Sequence, residues 1–177
     1  LLFVQIVNPL LGMVFVIALA RITGATGLGE YTFALSMVAI FEGIAGLGLR
    51  SYIIREIGKC QAKWHAIFTS NMVLGLGSAL VAQLIMLLSA KLMGYDETIL
   101  PGLFIISFSL VPTVILYVLM SILYAFDRMA VAGVVQIAET VVRVLLGLGV
   151  IFFGLGMHWL LVSIEVSRAL AAFMTWS

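Results

Sequence analysis

Glu139 and Arg143 stand four residues apart in an otherwise apolar run, and Gln136 precedes Glu139 by three. On a helix these spacings place all three side chains on one face. An ionisable side chain at the centre of a bilayer costs about 2.5–3.5 kcal/mol on insertion scales, so it pairs or lines a hydrated cavity. The stripe therefore reads either as a cavity-lining face or as a self-satisfied ion pair that serves helix packing. Glu165 and Arg168 repeat the pattern at a spacing of three, with Ser163 and Ser167 as local partners. Glu42 has no cation within one turn. It needs a partner on another helix, water or a proton. Glu42 and Glu139 are thus the candidate coupling-ion acids, with Gln136 as a cavity-lining companion and an interhelical hydrogen bond as the alternative for Glu42. Gln5 and Asn8 share a face of the first apolar run and suit hydrogen bonding between helices.

Signatures of catalysis are lacking. The aspartates are Asp96 and Asp127, far apart in sequence, and His65 and His158 fall at predicted helix ends on opposite sides of the membrane. No serine sits in a GxSxG elbow or an SxxK pattern. Cys60 is the single cysteine, which excludes an internal disulfide and a cysteine-based metal cluster. The reading is of a non-enzyme without cofactor or metal. No basic block of the kind that tracks nucleic acid is present.

The elements that would position these residues follow from composition. Of 177 residues, 64% are hydrophobic and 10% charged, against roughly 25% charged in soluble domains. A hydrocarbon core about 30 Å thick takes about 20 apolar residues per helical crossing. The apolar runs predict spans over about 1–20, 31–48, 66–89, 101–124, 129–153 and 159–176, an all-α integral membrane bundle of six transmembrane helices. The first run is too long, and too closely followed by others, for a cleaved signal peptide. Residues 21–30 carry three glycines and read as a tight loop. Pro101 suits a helix start, and Pro112 predicts a kink, because it lacks the amide its helix would use.

The most basic segment, 49–65, holds Arg50, Arg55, Lys59 and Lys63 against Glu56. With Tyr52, Ile53, Ile54 and Ile57 it reads as a short amphipathic helix whose cations face phospholipid headgroups. Arg50, Arg55, Lys59, Lys63 and Arg128 fall in the second and fourth connectors, and Arg21 and Lys91 in the odd-numbered ones. By the positive-inside rule both ends of the chain are cytoplasmic. Arg21 suits snorkelling to the interface or contact with an anionic substrate. Arg50 and Arg55 suit topogenic or substrate roles. The loop after the third span carries Lys91, Asp96 and Glu97. A start inside one apolar run and an end just after another read as a fragment.

The stretch from Ile17 to Lys59 resembles the N-terminal signature of the polysaccharide-unit flippases. It carries Ala20-Arg21, Gly24, Gly27, Gly29, Tyr31, then Gly46-Leu47-Gly48 and Arg55-Glu56-Ile57. Residues 122–156 are similar to their passage between the fourth and fifth helices. The wider group is the multidrug, oligosaccharidyl-lipid and polysaccharide exporter superfamily. The resemblance implies a V-shaped transporter of two six-helix lobes, of which this chain is the first, with the second lobe as its partner. It implies a cytoplasmic-membrane flippase for lipid-diphosphate-linked glycans working by alternating access. Arg21 and Arg55 are the motif positions that would hold the diphosphate, and Arg143 joins them from its stripe alone. Two other readings stand beside this one: a cation-coupled multidrug antiporter of the same superfamily, and a non-transporting membrane subunit of a polysaccharide assembly machine. A membrane-embedded transferase would require an acidic cluster that the chain lacks.

Overall fold

The computed structural model describes residues 2–46, 48–95 and 100–176. Leu47, Asp96 and Glu97, named above, lie outside them. The regular structure of the described residues is all helical. It comprises α1 (Leu2–Gly46), α2 (Leu49–Lys59), a 3-10 turn (Gln61–Lys63), α3 (Trp64–Leu92), α4 (Leu100–Ser107), α5 (Leu110–Ala125), α6 (Met129–Phe152) and α7 (Met157–Trp176). Five stretches are long and apolar enough to cross a membrane: Val4–Lys59, Gln61–Leu92, Leu100–Ala125, Met129–Phe152 and Met157–Trp176.

The first of these holds a reversal. Helix α1 has 45 residues, which would extend about 68 Å if straight, at about 1.5 Å per residue. At Gly24 the backbone turns to φ 71°, ψ −169°, a conformation open to glycine because it has no Cβ. The rings of Phe15 and Tyr31 then meet edge to face at 5.8 Å, although sixteen residues of straight helix would separate them by about 24 Å. Residues 2–23 and 25–46 are therefore antiparallel arms of one hairpin. The expected loop over 21–30 is helical on both sides of Gly24. One glycine carries the turn, and Thr23 closes its own last turn by donating to the Leu19 carbonyl at 2.8 Å.

Side-chain contacts fix the directions of the other helices. Ser78 donates to the Ala45 carbonyl at 2.7 Å, and the Phe33 and Tyr95 rings meet at 5.2 Å, so α3 runs antiparallel to the second arm. Gln83 reaches Ser107 at 3.3 Å while Gly75 faces Val114, which sets α4 and α5 antiparallel to α3. The first arm lies along α6, with Val4 against Gly133 and Phe15 against Gly147. Leu19, Val38, Ala79, Ala82, Leu103, Ile106, Leu110 and Leu161 fill the main core between these helices.

The break between α4 and α5 falls at Phe108 and Ser109, one turn before Pro112. Proline has no N–H for the carbonyl four residues back and its ring crowds that carbonyl. The Phe108 carbonyl instead accepts from Val111 N at 3.3 Å, and the Phe108 and Ser109 amides make short-range bonds to Ile105 and Ile106, each at 3.1 Å. Ser107 and Ser109 turn their hydroxyls onto the Phe104 and Ile106 carbonyls. These bonds satisfy backbone groups that the interrupted helix leaves open.

Candidate functional site

Gly48, with φ 69°, ends the hairpin in a left-handed turn and starts α2 at a sharp angle. Ile53 and Ile57 are fully buried on α2 and pack with Val118 of α5. The opposite face of α2 is polar, where Lys59 pairs with Glu56 at 3.0 Å. This docking carries Arg50 over α5, with its guanidinium 4.7 Å from the centre of the Tyr124 ring. Such a cation–π contact contributes about 0.5–1 kcal/mol at exposed sites and more when water is excluded.

On α5, Thr113, Tyr117, Met120 and Tyr124 recur at helical spacing and share a face. That face, with Arg50, Gln136 and Glu139 of α6, and Arg168 of α7, lines a cavity of about 230 Å³. A second pocket of about 380 Å³ shares Arg50 and Tyr117 with it and reaches Glu42, Gly43 and Gly46 on the hairpin. Together they form one groove that gathers the charged side chains of Arg50, Glu42, Glu139 and Arg168.

The groove is held by a network that joins three helices. Arg168 donates to the Glu42 carboxylate and, through Nη1, to Thr113 Oγ1 at 2.8 Å. Thr113 Oγ1 lies 3.4 Å from Glu42 Oε1. Both charged side chains keep only 14% of their surface exposed. Removing one partner of such a buried pair costs about 3–5 kcal/mol, because the other charge stays behind. Deeper along α6, Gln136 donates to Tyr124 Oη at 2.8 Å, which fixes the ring beneath Arg50. Glu139 makes no hydrogen bond or ion pair among the described residues.

The predicted residues are thus dispersed. Glu42, Gln136 and Glu139 line the groove. Arg143 is half-buried on α6, forms no ion pair with Glu139 and acts electrostatically on Tyr31 of the hairpin. Arg55 is exposed on α2, and Arg21 is exposed three residues before Gly24, at the other end of the bundle. The sequence offers Arg50 as topogenic or substrate-contacting, whereas Thr113, Tyr117 and Tyr124 were not singled out as site residues, although their recurrence on one helical face was a usable signal. Arg168 pairs with Glu42 rather than with Glu165, a choice that spacing within one helix cannot reveal.

Chemically the groove offers two guanidinium groups, two carboxylates, an amide and two phenols. Guanidinium binds phosphate or carboxylate oxygens through its planar fork, and the aromatic faces and amide suit polyhydroxylated groups. Within the described residues no three His, Cys, Asp or Glu side chains gather as a metal site.

Neither the curated proteins nor the solved structures gave a match to the chain. The family of polysaccharide biosynthesis proteins matches residues 1–176, nearly the whole length. With its long apolar helices, this multi-pass membrane protein belongs to the polysaccharide biosynthesis protein family.

Proposed function

We propose that the chain is the N-terminal lobe of a flippase that moves lipid-linked oligosaccharide or polysaccharide precursors across the cytoplasmic membrane by alternating access. Counting each arm of α1 as one crossing gives six, with α4 and α5 together forming the fourth. A second lobe completes the V around the groove.

The observation that carries the proposal is the polar groove enclosed by α2, α5, α6 and α7. A glycan head linked through diphosphate must be kept from hydrocarbon while its lipid tail stays in it, and an open polar groove meets both needs. Arg50 is the first contact for the diphosphate, since no carboxylate pairs with it among the described residues. Arg55 extends this basic end of the bundle. Arg21 stands at the opposite end and meets the headgroup as it leaves, and Arg143 contributes from α6 after rearrangement. Tyr117, Tyr124 and Gln136 contact sugar hydroxyls. Glu42 and Glu139 are the acids for coupling to an ion gradient.

A second reading, a cation-coupled multidrug antiporter, draws support from Glu139, whose unpaired carboxylate suits a cationic ligand. Complementation separates the two. In a bacterium lacking its own polysaccharide-unit flippase, the full-length protein is expected to restore surface glycan, and Arg50→Ala is expected to abolish this at normal membrane abundance. Restoration untouched by Arg50→Ala and lost in Glu139→Gln, together with drug resistance, would favour the antiporter.

A further inference from the structure

Glu165 lies on α7 one turn before Arg168 and takes no part in the groove network. Its Oε1 is buried and meets no hydrogen-bond donor among the described residues. The carboxyl group lies against the Ser109 backbone amide at the α4–α5 break. That break exists because of Pro112, and it leaves the positive N-terminal end of α5 facing α7 inside the bundle. Glu165 thus stands beside the start of a half-helix whose Ser109 amide is already donated to the Ile106 carbonyl, and one oxygen of its carboxyl is bare.

A bare buried carboxylate oxygen is costly in a low-dielectric interior. A proton on that oxygen removes the charge and turns the bare acceptor into a donor. A sodium ion would need several free oxygens around it, as unwound helices supply elsewhere. Here the Ser107 and Ser109 hydroxyls donate to the Phe104 and Ile106 carbonyls at 2.7 and 2.8 Å, which takes up those two carbonyls, and the response to sodium at fixed pH separates the two ions.

We propose that Glu165 is a proton-binding site, in which Oε1 takes a proton from water to give the neutral acid and returns it to water to give the carboxylate. The charged and titratable groups on the elements packed against it are few. Arg168 and His158 are on α7 itself, Glu139 and Arg143 are on α6, Arg21, Glu30, Tyr31 and Glu42 on the hairpin, and Tyr117 and Tyr124 on α5, while α4 carries none. Arg168 is the nearest of these in sequence and is shared with Glu42. With Glu165 charged, Arg168 lies between two carboxylates; with Glu165 neutral, it belongs to Glu42 and Thr113 alone. The proton therefore tightens the network that ties α7 to the hairpin. This site is independent of what the groove transports.

The test is infrared difference spectroscopy against pH on the full-length protein in lipid nanodiscs. The wild type is expected to show a protonated-carboxyl stretch that grows as pH falls, Glu165→Gln to lose it and Glu139→Gln to keep it. Absence of a titrating band in the wild type, or its survival in Glu165→Gln, overturns the proposal. So does a band that answers to sodium at fixed pH. If Glu165→Gln does not fold, Glu42→Gln and Glu139→Gln decide, because loss of the band in either assigns the proton elsewhere.

Discussion

Helices α6 and α7 carry nearly the same polar lettering, a glutamate followed within one turn by an arginine, yet the fold uses them differently. On α6 the pair does not close. Glu139 opens into the groove with Gln136, and Arg143, which closes no ion pair, acts electrostatically on both Tyr31 of the hairpin and Glu139. On α7 the pair also does not close, but each member is taken by a different neighbour. Arg168 goes to Glu42 and Thr113, and Glu165 goes to the α4–α5 break. The spacing of charges along a helix names candidates, whereas the helices packed on either side choose their partners. On α6 the result is an unpaired acid next to open space, suited to ligand contact; on α7 it is a cross-brace suited to holding helices in register.

The largest expected effect is on the brace. Arg168→Ala strands Glu42 in the interior and is expected to cost about 3–5 kcal/mol, read as a large fall in thermal midpoint in detergent or in membrane abundance. Adding Glu42→Gln is expected to recover part of the loss, since the stranded charge is then gone. A double mutant as unstable as the sum of the single ones would show that the two residues do not act together. Arg143→Ala on α6, which breaks no pair, is expected to lie well below Arg168→Ala in the same assay.

Next comes the apolar side of α6. A Cβ at Gly147 would stand 2.5 Å from the Phe15 ring, a clash that overpacks the contact between α6 and the first arm. Gly147→Ala is expected to cost about 1–3 kcal/mol. Gly149→Ala is its control, because a Cβ there meets nothing within 4 Å. Equal stability of the two variants would mean that the arm is not seated on α6 as described.

Much of this architecture was legible in the apolar runs, because hydrocarbon forces the backbone to satisfy itself and leaves helices as the default. Pro112 also announced its break, although the interruption falls at Phe108 and Ser109, where the missing bond would have been accepted. The loop expected over 21–30 was misjudged, since three glycines suggested irregular chain while Gly24 alone makes the reversal and its neighbours stay helical. The groove was half legible. Gln136 and Glu139 are recognisable as polar residues in an apolar helix, and the need of Glu42 for a distant partner follows from its isolation. That the partner is Arg168, 126 residues away, depends on tertiary packing that no local pattern contains. Arg50 read as topogenic or substrate-contacting because it begins a basic segment, and its position over Tyr124 depends on the turn at Gly48.

A smaller effect is expected where the groove is held by neutral hydrogen bonding. Tyr124→Phe removes the hydroxyl that accepts from Gln136 at 2.8 Å and keeps the ring under Arg50. A net loss of about 0.5–1.5 kcal/mol is typical for one such bond. A larger loss would indicate that the phenol, and not the ring alone, positions Arg50.

The smallest effect on stability is expected at Glu139, and there the contrast with α7 is sharpest. Glu139→Gln keeps the size of the side chain and removes a charge that forms no ion pair among the described residues, so neither a broken pair nor a cavity follows. The thermal midpoint is expected to stay within the range of a neutral surface substitution, about 0.5 kcal/mol, or to rise slightly as the desolvated charge is lost. Transport by the full-length protein is the second readout. A stable Glu139→Gln variant with lost transport would make α6 the ligand-facing helix, as its unpaired acid suggests. If the variant is instead destabilised as strongly as Arg168→Ala, Glu139 has a structural partner of its own and the division between a working α6 and a bracing α7 fails.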